Sequence, residues 1–159
     1  MSVLLNSRIS AEISWNRSER GDGLSASENG SLKQQTLFSS ESSPGVDRVW
    51  TVQNVSLAAE YSISYSLVEL TREVLGSTET IAFSRLCGLY FCNRSPHAFL
   101  VVENRAFARC VVPPGGYFCL CNPAADWVLT SSNNRITITN SSTTEAASFD
   151  LALTGTAEA

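Results

Sequence analysis

The chain has 159 residues, of which 43% are hydrophobic and 16% are charged. This length suits one domain, and the composition is too apolar for a disordered protein and too lightly charged for a coiled coil. The net charge is −4 and the arginines are scattered singly along the chain. We therefore expect no nucleic acid as a partner, because proteins that bind nucleic acid cluster Lys and Arg against the phosphates.

No membrane partner is expected either. The longest compact apolar run, AFLVV at 98–102, is far shorter than the ~20 residues that a membrane-spanning helix needs. The N-terminus, MSVLLNSRIS, lacks the basic start and long apolar centre of a signal peptide. Disulfides are consequently not expected, and five cysteines is an odd number in any case.

The first predicted element is a strand at RISAEISWN. Its apolar residues alternate with polar ones and share one face: Ile9, Ala11, Ile13 and Trp15. Residues 17–30 are polar and rich in glycine, which predicts a long loop. SLKQQTLFSS predicts a weaker strand, and residues 39–47 predict a second polar loop with a turn at Pro44-Gly45.

Two further strands are predicted at RVWTVQNVSL and YSISYSL. Beyond Leu67 the alternation of period two breaks. The spacing of Leu67, Leu70 and Val74 suits either a short helix ending at Gly76 or extended chain with a bulge. We favour extended chain.

Seven short apolar segments follow: CGLYFCN, HAFLVVEN, FARCVV, YFCLCN, DWVLT, RITITN and SFDLALTG. Each is rich in β-branched or aromatic residues and is bounded by Asn, Ser, Pro or Gly. Short strands at a spacing of roughly 8–12 residues indicate an all-β sandwich or barrel. We therefore predict a single all-β domain over residues 1–159, with polar loops near 17–30 and 39–47.

The segment CVVPPGGYFCLCNP, 110–123, holds three of the five cysteines. Pro113–Gly116 is interpreted as the connector of a hairpin whose arms are RCVV and YFCLC. Zinc would need two ligand pairs, and alternation along one strand would place Cys87 and Cys92 on opposite faces. We favour buried apolar thiols, with a metal site and a disulfide as the alternatives.

No catalytic, cofactor-binding or metal-ligating residue is predicted, so we expect no cofactor and no enzyme. His97 is the only histidine, and no hydrolase, phosphate-binding or dinucleotide-binding motif occurs. Glu69 and Glu73 are interpreted as a solvated edge rather than a catalytic pair. The three tryptophans suit core packing better than a sugar-stacking platform: Trp15, Trp50 and Trp127.

The chain from Val68 to Ala157 resembles small β-sandwich virion proteins of tailed bacteriophages. The resemblance is carried by REVLGSTETIAFSRLCGLYFCNRSP, by HAFLVVEN, by the turn and strand VVPPGGYFCLCNP and by the closing ASFDLALTG. The N-terminal SRISAEISWNRSERGDGLSASENGSLKQQ is similar to the opening hairpin of that family. The chain departs from the sequence pattern of that family in its cysteines and in its doubled proline.

The resemblance implies an antiparallel β-sandwich of jelly-roll type that is part of a virion assembled in the host cytoplasm. The implied function is that of a virion structural protein, most concretely a capsid decoration or cement protein that braces the particle. The implied partners are further copies of the chain, for example in a trimer, and other virion proteins such as the major capsid protein. The alternative is a carbohydrate- or receptor-binding module of a phage tail.

Overall fold

The computed structural model of the chain describes residues 6–21, 24–39, 46–74, 76–105, 108–122 and 127–157. Within these ranges the chain forms strands and no helix, and hence no helix that could cross a membrane. The strands are β1 (Asn6–Gly21), β2 (Leu24–Ser39), β3 (Arg48–Leu57), β4 (Ser62–Ser66), β5 (Leu70–Val74), β6 (Ser77–Ile81), β7 (Arg85–Asn93), β8 (Leu100–Asn104), β9 (Ala108–Val112), β10 (Tyr117–Cys121), β11 (Trp127–Val128), β12 (Arg135–Asn140) and β13 (Ala147–Thr156).

Two antiparallel sheets pack face to face, which confirms the predicted β-sandwich. Sheet I has the strand order β10, β7, β13, β3, and the short β11 also pairs with β7; sheet II has the order β4, β12, β8, β9. The core lies between them because alternate residues of each strand face inward. Phe91, for example, is fully buried and stacks on Phe149 and Phe118 of the neighbouring strands, with ring centroids 5.5 and 5.7 Å apart.

We call the ribbon formed by β1 and β2 the arm. The two strands pair along their whole length, from Asn6↔Ser39 to Gly21↔Leu24, and no sandwich strand joins them in the part of the chain that the structure describes. The predicted strands here are confirmed, but the predicted loop at 17–30 is wrong. Apart from residues 22–23, which lie outside the described residues, that segment is paired strand.

The loop prediction failed because backbone hydrogen bonds, which do not depend on apolar side chains, build a β-ladder. Polar residues therefore remain in a strand when the partner strand is equally polar. Arg17 is the register partner of Glu28 and Ser18 that of Ser27, so the two facing segments match in polarity. In the second predicted loop, 39–47, residues 40–45 with the Pro44-Gly45 turn lie outside the described residues. That residues 1–159 form one domain stays a prediction.

The strands predicted at RVWTVQNVSL and YSISYSL are confirmed as β3 and β4. The preference for extended chain beyond Leu67 is also confirmed, since β5 and β6 form an antiparallel hairpin. Gly76 lies in its turn with a φ of 80°, a conformation that glycine adopts readily. Gly76 is thus explained by the hairpin turn, and the alternative of a short helix ending at this glycine is not needed.

The β5–β6 hairpin is anchored to β3, an edge strand of sheet I. The indole Nε1 of Trp50 donates to the carbonyl of Thr71 at 2.8 Å, and Nη1 of Arg72 donates to the carbonyl of Val49 at 3.2 Å. The buried Trp50 ring also meets Tyr65 of sheet II edge to face, with centroids 5.0 Å apart. These contacts fix the hairpin to one lateral edge of the sandwich.

The predicted hairpin at 110–121 is wrong. β9 pairs with β8 in sheet II, whereas β10 pairs with β7 in sheet I, so residues 113–116 cross between the sheets. A tight crossover needs the same residues as a tight hairpin turn: prolines without an N–H and a glycine at positive φ, here Gly115 at 67°. The connector is fixed by hydrogen bonds to the end of β7 and the loop after it, because Gly115 N donates to Ser95 O and Asn93 N donates to Gly116 O.

Three strands end in a buried asparagine, at Asn93 of β7, Asn104 of β8 and Asn140 of β12. The side-chain amide of Asn93 donates to three backbone carbonyls within 3.0 Å, and its oxygen accepts from the N–H of Ser95. Asn140 repeats this arrangement with three carbonyls and the N–H of Ser142. Asn93 and Asn140 thereby each fix the loop that follows their strand, whereas Asn104 donates to the carbonyls of Asn133 and Arg135.

Candidate functional site

The only histidine of the chain, His97, is exposed in the loop between β7 and β8. Nucleophilic catalysis through histidine requires a nucleophile on one ring nitrogen and an orienting group on the other. No hydrogen bond or ion pair of His97 occurs among the described residues. Glu69 and Glu73 are likewise exposed, at the base and within the strand of the β5–β6 hairpin. The expectation that the chain is not an enzyme stays a prediction.

All five cysteines are free thiols. Cys87 and Cys92 are buried, and the other three are half-buried, so the filler interpretation is confirmed for two of them and is only partly right for Cys110, Cys119 and Cys121. Among the described residues no group of three or more His, Cys, Asp or Glu side chains is placed to hold a metal ion. A disulfide, the other alternative, does not form.

Cys87 stands at an irregularity of β7, whose pairing with β13 passes from Gly88 directly to Leu86. The alternation argument for opposite faces at Cys87 and Cys92 therefore does not apply across this point. Burial, and then the neighbouring Cys121, raise the pKa of the Cys87 thiol. Burial and Cys121 also raise the pKa of Cys119. Raised thiol pKa values reduce the thiolate fraction, so these cysteines are poor nucleophiles.

The outer face of sheet I carries an exposed pair of tyrosines, which we call the tyrosine pair: Tyr90 of β7 and Tyr117 of β10. Their ring centroids are 6.4 Å apart with a 32° tilt, and Tyr117 is 69% exposed. Cys119 lies opposite Tyr90 and Cys92 opposite Tyr117 in the register, so thiols fill the same face. Burial, and then a hydrogen bond with Cys92, raise the pKa of Tyr90, which keeps its phenol protonated.

The tryptophans do not contribute to this surface where their side chains are described. Trp50 is buried, and Trp127 is half-buried and packs against the core. Core packing is thus confirmed for these two, while the side chain of Trp15 lies outside the described residues.

A second surface is an open groove of about 480 Å³ on sheet II, which we call the arginine groove. Its charged lining residues are Arg105, Arg109, Arg135 and Glu103, and Ser132 and Thr137 add hydroxyl groups. Arg109, Glu103 and Thr137 lie side by side on β9, β8 and β12 because their positions are in register. Nε of Arg109 is 3.1 Å from Oε1 of Glu103.

Sequence reasoning missed the arginine groove, because it treated the arginines as scattered singly. Two of them flank the turn between β8 and β9, and the third begins β12, thirty residues further along the chain in a strand that pairs with β8. The segment ENRAFAR, 103–109, carried a local signal for two of the three. The third depended on sheet topology.

The two surfaces present hydrogen-bond donors, aromatic rings and charge, and neither brings a nucleophile next to a base among the residues that the structure describes. Comparisons of the chain with protein-family models, curated proteins and solved structures gave no match. The resemblance to phage virion proteins therefore stays a prediction.

Proposed function

We propose that this chain is a structural protein of a bacteriophage particle, most concretely a capsid decoration or cement protein, and that its sandwich is a jelly roll. The observation that carries the proposal is the nesting of the strand pairs. β3 pairs with β13, β4 with β12, β7 with β10, and β8 with β9.

This order supports a jelly roll because it is that of one long antiparallel hairpin rolled up. Among the eight strands β3, β4, β7, β8, β9, β10, β12 and β13, the first pairs with the last, the second with the seventh, and so on inward. Eight-stranded jelly rolls are found in viral capsid proteins, and also in lectins and cupins. Since a fold serves many functions, the virion assignment rests on the resemblance over 68–157 together with this order.

The arm supports assembly into a larger structure. Each of its strands has 16 residues, which at ~3.3 Å per residue is a ribbon of about 50 Å. An isolated two-stranded ribbon is marginally stable in water. Leu32 and Leu37 of β2 are each 68% exposed, so the arm carries apolar surface that a neighbouring subunit would bury. Ile13, from the apolar face predicted by sequence, is the register partner of Leu32.

Bracing of this kind is non-covalent. Burial of apolar surface at a subunit junction contributes about 25 cal/mol per Å², and each junction is repeated over the many copies of a particle. The partners in this proposal are further copies of the chain and the major capsid protein. The protein would be found in the virion, after assembly in the host cytoplasm.

The test is the protein content of purified particles. Particles from the strain that carries this gene are purified on a density gradient and quantified by mass spectrometry, with particles from a deletion strain as the control. We expect the chain in the particle band at a fixed ratio to the major capsid protein, and deletion particles that lose DNA at lower temperature. Absence of the chain from intact particles would refute the proposal.

A second candidate function is a carbohydrate- or receptor-binding module of a phage tail, which the tyrosine pair favours. Two neighbouring exposed rings form a platform on which a sugar can stack, and the phenols supply hydrogen bonds. A glycan array tests this candidate with the double variant Tyr90→Ala/Tyr117→Ala. The control is Tyr61→Ala, because Tyr61 is 66% exposed away from the pair. Glycan binding that only the double variant loses would support it over bracing.

A further inference from the structure

The arginine groove contains more positive charge than its own residues neutralise. Three guanidinium groups surround one carboxylate, and Glu103 is already paired with Arg109. The side chains of Arg105 and Arg135 form no ion pair with any described residue. Both arginines lie two residues beyond the last register pair of β12 and β8, Thr137↔Glu103, and line the same groove. Like charges across neighbouring strands are unfavourable, so the groove is suited to an incoming anion.

The anion is better sought on a protein than on a sugar. Among the described residues that line the groove none is aromatic, whereas sugar sites use rings for stacking. The chain itself is acidic, with 15 Asp and Glu against 11 Lys and Arg. A second copy of the chain is therefore a partner of the required charge.

The β5–β6 hairpin supplies an acidic surface on that second copy. It carries three exposed glutamates, Glu69, Glu73 and Glu79. Glu79 is neutralised by Arg72, whose Nη2 lies 2.7 Å from its Oε2. Among the described residues the carboxylate of Glu73 accepts a hydrogen bond only from the hydroxyl of Thr78, and Glu69 forms no ion pair. Two carboxylates thus remain without a cation.

The groove and the hairpin are not joined by an ion pair within one copy. The hairpin follows β4, and Ser66 at the end of β4 is the register partner of Arg135 and accepts the N–H of Glu69 on its carbonyl. Although the base of the hairpin thus lies on the same side as Arg135, no ion pair between the two surfaces forms among the described residues. Both surfaces are therefore open to a second copy.

We propose that the arginine groove binds the β5–β6 hairpin of a second copy, so that identical chains associate head to tail. Such a heterologous contact forms a ring if the rotation between copies closes. The inference rests on the proposed function in one respect, because that function includes a homo-oligomer and the inference names the contact that would hold it together. Since the contact is between exposed charges, added salt weakens it.

The experiment uses two charge-reversal variants. The groove variant is Arg105→Glu/Arg135→Glu, the hairpin variant is Glu69→Lys/Glu73→Lys, and Arg48→Glu, outside both surfaces, is the control. Circular dichroism and thermal unfolding verify that each variant folds. Sedimentation velocity is then measured at about 50 mM and about 500 mM NaCl, and we expect the wild type and the control to associate about tenfold or more weakly at the higher salt.

Each reversal variant alone should be monomeric at either salt concentration. An equimolar mixture of the two should form a species of two chains and nothing larger, because each chain then brings one intact surface. A monomeric wild type at low salt would overturn the inference, as would a mixture that stays monomeric. Inorganic phosphate that binds the wild type but not the groove variant, without any association of copies, would instead indicate a site for small anions and would also overturn it.

The two proposals can fail separately. If the mixture of the two variants forms the two-chain species but the chain is absent from phage particles, the virion function is refuted and this contact stands. A chain that is present in particles, with variants that assemble normally, would refute the contact and leave the virion function standing.

Discussion

The backbone N–H of Asn54 donates to Oδ1 of Asp150 at 2.9 Å, between the two strands β3 and β13. The register of these strands shifts between Phe149 and Leu151, which makes Asp150 the residue at the bulge. Asn54 has a φ of 53°, a left-handed conformation that asparagine tolerates better than most residues. Oδ2 of the same carboxylate accepts Nε of Arg94 at 2.7 Å, so Asp150 links the bulge to the loop after β7.

We predict that Asp150→Asn lowers the free energy of unfolding at pH 7 by about 1–3 kcal/mol, through weaker hydrogen bonds. Burial raises the pKa of Asp150, but the hydrogen bonds from Asn54 and Arg94 outweigh it and lower the pKa. A lowered pKa in the folded state contributes stability above the unfolded value of about 3.9, and this contribution is lost as pH falls through the folded pKa.

Urea denaturation at pH 7 and at about pH 3 measures this effect, with the exposed Glu145→Gln as the control. The difference between wild type and Asp150→Asn should shrink at the lower pH. An equal difference at both values would show that the carboxylate charge does not matter.

Asn93→Ala should be among the most destabilising single substitutions outside the apolar core. It removes the donors for three carbonyls and the acceptor for Ser95 N–H, leaving buried polar groups that cost about 1–3 kcal/mol each when unpaired. We expect a loss of about 3 kcal/mol in chemical denaturation, given partial access of water. Asn134→Ala is the matched control, since no hydrogen bond of that side chain occurs in the described chain. Equal stabilities of the two variants would contradict the proposed role.

Thiol labelling distinguishes the cysteines. In native protein at about pH 8, we expect iodoacetamide to leave Cys87 unmodified, because it has no solvent-exposed surface and a raised pKa. Cys119 should react more slowly than a free cysteine, because it is half-buried and its pKa is raised. Peptide mass spectrometry over time gives the rates, and protein unfolded in urea gives the reference. Rapid native modification of Cys87, or stoichiometric zinc in the purified protein, would contradict the filler interpretation.

The strands of the sandwich could be predicted from the sequence because each is a short apolar run between breaking residues, as at β3 and β12. The arm could be predicted only in its apolar half. Residues 17–30 have no apolar alternation, and their strand structure depends on a partner of matching polarity, which local pattern does not reveal. The pairing of β9 and β10 was also beyond local pattern, because Pro113–Gly116 suits a hairpin and a crossover equally.

The surfaces were less predictable than the strands. The burial of Trp50 followed from its place in an alternating strand, and the solvent exposure of Glu69 and Glu73 followed from their charge. The tyrosine pair depends on the register of Tyr90 with Cys119, which a sequence without its strand pairing does not contain. The arginine groove depends likewise on β12 lying beside β8, since Arg135 is distant in sequence from Arg105 and Arg109.

The nested pairing of strands is the claim on which the proposed jelly roll and the placement of both surfaces depend, and nuclear Overhauser contacts between backbone protons test it most directly. Ala152 of β13 should show contacts to Thr51 of β3 and to Tyr90 of β7 at once. Contacts between β9 and β10 across Pro113–Gly116, in place of contacts from β9 to β8 and from β10 to β7, would contradict it.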